Sequence, residues 1–350
     1  MDSVFSGVKV TYVASCVPKN QINLNDLSPE YGEKETKKII LSTGISKIRV
    51  AEKSTTTADL CFAAANKIFV EGGIDRTDVD AIVFMSQTPD YVLPATSVTL
   101  QHRLGLSKNV VAFDISYGCT AYIYGLLQAS LLISSGSCKK VLMLAGDVMT
   151  RYVHPMDRSV RMVFGDGGSA TLLEKGDDDI GFIIKSDGAG AEHLIIPAGG
   201  MRLKNNKDSS KETERENGNV RSDENIFMNG MEIMNFCIRE IPRVLEDALV
   251  QRKWVKEEVG LYGLHQANKF MVSYLAKKSG LPPGSFPITM GEIGNTGPAS
   301  IPIMLTQNYG QLRKESRLEK TVLCGFGVGL SWGTATLNLA ETHFYDPLEI

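Results

Sequence analysis

The chain has 350 residues, 43% of them hydrophobic and 22% charged, an ordinary globular composition with length enough for a large core. A net charge of −3 and a pI of about 6.0 give no basic excess for nucleic acid or an anionic membrane as partner. The opening residues, MDSVFSGVKV, lack the basic start and apolar core of a secretory leader, and no apolar run approaches the ~18 residues that span a bilayer, so a cytoplasmic protein is expected.

Six cysteines, Cys16, Cys61, Cys119, Cys138, Cys237 and Cys324, form no close pair and none stands beside a His at metal-ligand spacing. This argues against a disulfide framework or a zinc site.

Along the chain, a Thr-rich start and a Gly-Gly stop predict a helix over 55–72. VDAIVFMSQ (79–87) reads as an apolar strand ending in polar residues, and VVAFDIS (110–116) as another. That second strand runs into Tyr117-Gly118-Cys119, and AYIYGLLQASLLISSG then reads as a long helix. KKVLMLAGD (139–147) predicts a strand, and FGDGGSA (164–170) a tight turn into one. Residues 201–225 are charged, Asn/Ser-rich and almost without apolar residues, which predicts a solvated, mobile surface loop. Helices are expected over 231–252 and 268–280, with the strand VGLYGLHQ (259–266) between them. FPITM (286–290) reads as a strand before Asn295, PASIPIMLTQNYG as the helix after it, and EKTVLCGFG as a strand closing on the Gly-rich stretch 325–333.

Three features recur at nearly constant distance. Position 87 pairs with 265 at an offset of 178, 119 with 295 at 176, and 142 with 323 at 181. The pattern predicts an α/β protein of two like halves, an N-terminal half over 1–175 and a C-terminal half over 226–350, with 176–225 as the connection and its charged insert.

Cys119 stands where a sharp Gly-containing turn opens a helix. Unsatisfied N–H groups and the positive dipole end there stabilise a thiolate, so a lowered pKa is expected. His265 ends a strand in His265-Gln266-Ala267-Asn268, at the edge of an α/β sheet where sites collect. Asn295 lies between Gly294 and Gly297, where the backbone can approach a ligand closely and an amide N–H₂ can donate to an enolate. The Gly-rich turn after 324 can present backbone N–H groups to an oxyanion, and no P-loop Lys follows it.

With these motifs in order, the chain resembles β-ketoacyl-[acyl-carrier-protein] synthase III of the thiolase-like superfamily. The likeness rests on Ser42-Thr-Gly-Ile-Ser, Ser86-Gln-Thr-Pro-Asp-Tyr, Asp114 to Tyr122, Asp157-Arg158 to Gly168, His265 to Asn268, Gly294 to Pro302 and Gly325 to Gly333. It implies a five-layered αβαβα fold and a homodimer. Cys119 would be acylated from acyl-CoA or acyl-ACP. His265 and Asn295 would assist decarboxylation of malonyl-ACP, and the backbone N–H groups of Cys119 and Gly329 would form the oxyanion hole. It further implies substrate contacts from Arg151, Leu93, Phe164 and Asn268, and carrier-protein docking at Gln266, Lys269 and Phe270. No metal or redox cofactor is implied. The chain departs from the family at Lys38 and Ser42, in place of an adenine clamp, and at Phe270, in place of a docking Arg. Acyl transfer to an O, N or S nucleophile without decarboxylation is the alternative reading; the retained Asn295 favours condensation.

Overall fold

Two long strands organise the molecule, whose computed structural model describes residues 1–314 and 318–350. Strand β1 (Asp2–Val17) and strand β5 (Gly167–Ser186) run antiparallel along nearly their whole lengths. β1 is buried toward its C-terminal end, and β5 on both sides of its middle. The middle of β5, Glu174 to Asp179, alternates toward solvent, where its charges avoid desolvation.

The first part of β5 pairs with β4 (Lys140–Asp147), followed outward by β2 (Ala81–Met85) and β3 (Val111–Ile115). The second part pairs with β8 (Ser331–Leu337), followed outward by β7 (Thr321–Gly327) and β6 (Leu261–Leu264). The orders β2-β4-β5-β1 and β6-β7-β8-β5 match in strand direction, and β3 adds one more parallel strand outside β2. In each, a parallel pair comes first and antiparallel pairs follow.

Side-chain alternation sorts the helices into layers. In β4, Leu142 and Leu144 face helix α2 (Thr57–Glu71), while Val141, Met143 and Ala145 face α3 (Ala121–Ser134). In β7, Leu323 points to the same central layer, which α6 (Ser300–Lys314) shares. Val322, Cys324 and Phe326 face α4 (Gly230–Arg252) and α5 (Lys269–Lys278). Helix, sheet, helix, sheet, helix is the resulting five-layered order. Helix α3 is buried on nearly every side, which its uniformly apolar sequence requires. No described helix is long and apolar enough to cross a membrane.

One expectation fails and another is met only in part. Residues 286–290 form no strand, although the Tyr262 N–H donates to the Ser285 carbonyl. Pro287 falls in this stretch and Pro282 and Pro283 just before it, and a proline has no N–H to give a ladder. The 201–225 insert is mostly exposed, as expected, but it is not a bare loop. Thr213–Glu214 and Val220–Arg221 pair as a short ribbon, and Ser209 is buried with its hydroxyl on Glu224. Arg221 crosses to the buried Asp157 at 3.0 Å, and the Arg158 guanidinium donates to the Asn217 carbonyl. Composition pointed to solvent, and most of these side chains do face it; the few that do not satisfy one another and anchor the ribbon.

Candidate active site

Cys119 follows β3 and precedes the first turn of α3. It is 8% exposed. Gly327 explains how it is enclosed. A Cβ at 327 would stand 3.1 Å from the Cys119 Sγ, and φ is +155°. Only glycine lets the end of β7 approach the sulfur this closely. All six cysteines are free, and of these Cys119 alone borders the two cavities described next.

The expected low thiol pKa is not found. Burial pushes the Cys119 thiol up to about 12, and the nearby Asp147 carboxylate adds to this. The N–H groups of Cys119 and Val328 pull the other way and are outweighed. The sequence shows a helix start; it does not show the lid of packed chain over it.

A small cavity of about 90 Å³ brings Cys119, His265 and Asn295 together. Phe164, Asn268, Met228 and Phe326 complete much of its wall. His265 is buried with its ring edge-on to Phe326, and burial drives its pKa down to about 3, so the imidazole is neutral. Its Nδ1 lies 2.6 Å from the Ser300 Oγ at the start of α6. The Gln266 N–H also donates to that oxygen, at 3.5 Å. Ser300 is a site residue that sequence reading missed; its place in the Gly294–Pro302 motif was the available signal.

Asn295 is fixed by its backbone. Its N–H donates to the Val163 carbonyl and its carbonyl accepts from the Gly165 N–H. Gly294 makes this possible: φ is +88°, and a Cβ there would stand 3.0 Å from both Gly165 N and Val163 O. The Asn295 Oδ1 accepts from the Gly297 N–H at 3.0 Å, which leaves the amide N–H₂ for the cavity.

A second, larger cavity of about 480 Å³ opens on the other side of Cys119. Phe164 and Leu194 border both.

Family models of 3-oxoacyl-[acyl-carrier-protein (ACP)] synthase III match residues 113–191, and of its C-terminal part residues 249–339. A putative 3-oxoacyl-[acyl-carrier-protein] synthase 3 of Campylobacter jejuni is 32% identical, over 98% of this chain and 97% of that protein. A β-ketoacyl-[acyl-carrier-protein] synthase III of Lactococcus lactis is 32% identical over 95% of this chain and 99% of its own. The chain belongs to the 3-oxoacyl-[acyl-carrier-protein] synthase III family. A crystal structure of a 3-oxoacyl-(acyl-carrier protein) synthase from Burkholderia xenovorans superposes with a TM-score of 0.92 at 36% identity, covering 100% of this chain and 99% of that one. The Pseudomonas aeruginosa synthase III structure gives 0.80 at 27%, covering 95% and 98%. The fold is thiolase-like, and the protein is a synthase III-like condensing enzyme, an acyltransferase.

Within this family frame, several expected contacts fall elsewhere. The Arg151 guanidinium donates to the carbonyls of Glu52, Lys53 and Thr55 and borders neither cavity. Gln266 is buried. Its Nε2 donates to the Leu264 and Pro287 carbonyls and its Oε1 accepts from the Thr289 N–H, so it ties down the strandless 286–290 segment and presents nothing to a carrier. Lys269 and Phe270 are exposed on the first turn of α5, and Asn268 caps that helix by accepting from the Met271 N–H. Leu93, which the resemblance offers to a partner across a dimer, is 79% exposed with Tyr91 and Val92 beside it and borders neither cavity of its own chain. Val328, and not Gly329, directs its N–H at the Cys119 sulfur and borders the larger cavity.

Proposed function

We propose that Cys119 carries the acyl group and that His265 and Asn295 activate a malonyl thioester for decarboxylative condensation. The observation that carries this reading is the convergence of all three side chains on one small cavity, with Cys119 also reaching the larger one. The larger cavity takes the acyl chain; the smaller takes the thioester arm.

The chemistry follows from the hydrogen bonds. A hydroxyl both donates and accepts, so Ser300 serves either tautomer of His265. With Nδ1 protonated, a bare Nε2 takes the Cys119 proton as the sulfur attacks the acyl thioester. It returns that proton to the departing thiolate. Burial disfavours both free thiolate and imidazolium, so the transfer is concerted. When Ser300 donates to Nδ1, Nε2 carries the proton. Nε2–H and the Asn295 N–H₂ then both donate to the malonyl thioester oxygen as CO₂ leaves and the enolate forms. The enolate carbon attacks the acyl-Cys119 carbonyl, whose oxygen the Cys119 and Val328 N–H groups receive; the acyl C–S bond then breaks, and the Cys119 sulfur leaves as thiolate and takes a proton from water to regenerate the thiol.

Acyl-CoA or acyl-ACP as donor and malonyl-ACP as extender are the substrates this reading assigns. Exposed Lys269 and Phe270 support carrier docking on α5, and exposed Tyr91, Val92 and Leu93 support a homodimer in which this loop meets the partner. The matched strand orders support a Cys-bearing half over 1–175 and a His- and Asn-bearing half over 226–350, joined by 176–225.

Intact mass after incubation with acyl-CoA and acyl-ACP tests the reading. Wild type gains one acyl mass and Cys119→Ala gains none; a mutant that still gains it refutes the nucleophile. Asn295→Ala keeps acylation and loses release of CO₂ from malonyl-ACP. Loss of both steps in a folded variant would refute its assignment to the second step.

A further inference from the structure

The larger cavity is apolar over most of its wall, with Met149, Leu194, Ile195 and Ile226 among its lining. Its Cys119 end is different. Asp147, at the end of β4, is 1% exposed and borders the cavity there. One carboxylate oxygen is fully used: Oδ1 accepts from the Ser86 hydroxyl at 2.8 Å, the Gln87 N–H at 2.7 Å and the Thr88 hydroxyl at 3.1 Å. The other oxygen, Oδ2, is buried and has no partner.

Such an atom is costly in a folded protein, and most buried polar atoms are paired. Its neighbours shield it without pairing with it. Gly297 also borders the cavity, and a Cβ there would stand 3.2 Å from Oδ2. Any larger residue would crowd the oxygen against its own side chain. Gln87 adds a second polar group to the same corner.

We propose that this corner reads a hydroxyl on the acyl group, placed on the carbons nearest the thioester, and that Asp147 is the specificity-determining residue that accepts its hydrogen bond. An alkyl chain would seal Oδ2 in the dark of the cavity with nothing to bind. A hydroxyacyl chain of the same length satisfies it and lays its remaining methylenes along the apolar wall. An alcohol is the uncharged donor that this otherwise apolar cavity accepts.

The proposal rests on acylation of Cys119. The test compares matched pairs, butyryl with 3-hydroxybutyryl and octanoyl with 3-hydroxyoctanoyl, each on CoA and on acyl carrier protein. The rate of acyl mass gain on Cys119 is read by intact mass. At pH 8, above the value of about 7 to which burial raises the Asp147 carboxyl, wild type is expected to favour the hydroxyacyl member by about tenfold or more, the factor that one hydrogen bond to a charged acceptor supplies. Equal rates, or a faster unsubstituted chain, overturn the proposal and leave the function standing. No acyl mass from any thioester overturns both. In Asp147→Asn, the side-chain oxygen still serves Ser86, Gln87 and Thr88, so the variant folds while a neutral amide replaces Oδ2. The preference then falls roughly tenfold; an unchanged ratio removes Asp147 from the assignment.

Discussion

Replacing Ser300 by Ala probes how the imidazole is controlled. The Ser300 Oγ is 2.6 Å from the His265 Nδ1 and also receives the Gln266 N–H. The residue is buried, so no bulk water takes its place. Removing it orphans Nδ1 and the Gln266 N–H together. An unsatisfied buried group costs about 1–3 kcal/mol, so the fold loses about that much. If the same energy is lost from the transition states, rates fall roughly 5- to 150-fold. Both half-reactions suffer, because each needs a defined tautomer of His265. Asn295→Ala, by contrast, touches only the second. The assay is single-turnover acylation by intact mass alongside CO₂ release from malonyl-ACP, with a thermal melt to confirm folding. A folded Ser300→Ala enzyme with wild-type rates in both steps would refute the tautomer argument.

Gly327→Ala places a Cβ 3.1 Å from the Cys119 Sγ on a positive-φ backbone, so acylation falls at least a hundredfold while melting shows a folded protein. Burial holds the Asp147 carboxyl up to about 7, so between about pH 4 and pH 7 the folded state keeps a proton that the unfolded chain releases. Stability from this group therefore falls as pH rises through that window, and the melting temperature of Asp147→Asn gains on wild type from pH 4 to pH 7. His265, held down to about 3, works in the opposite sense in both proteins and cancels in the comparison. Arg221→Ala strands the buried Asp157, which costs on the order of 3 kcal/mol, and speeds limited proteolysis within 201–225.

The strands and the three polar side chains were legible because each has a local cause. β4 and β7 alternate between two helical layers, and Cys119, His265 and Asn295 each end or follow an apolar run. What was hidden depends on groups distant in sequence. The thiol pKa is set by the packing of Gly327 and the charge of Asp147, neither of which a helix-start rule contains. Val328 replaces Gly329 as the donor because the turn at the end of β7 aims one N–H and not the next. Arg151 looked like a ligand contact and is spent on three carbonyls of the 52–55 segment. The segment 201–225 is exposed as its composition indicates, but the ribbon within it depends on pairings that composition does not show.

The paired spars β1 and β5 carry a mechanical consequence. Both run without a break from one sheet into the other, so no flexible joint separates the strand end that bears Cys119 from the one that bears His265. The distance between sulfur and imidazole is set like that between two fittings bolted to one beam. Entry and release must then be worked by side chains and surface loops, while the reacting atoms hold their spacing from one turnover to the next.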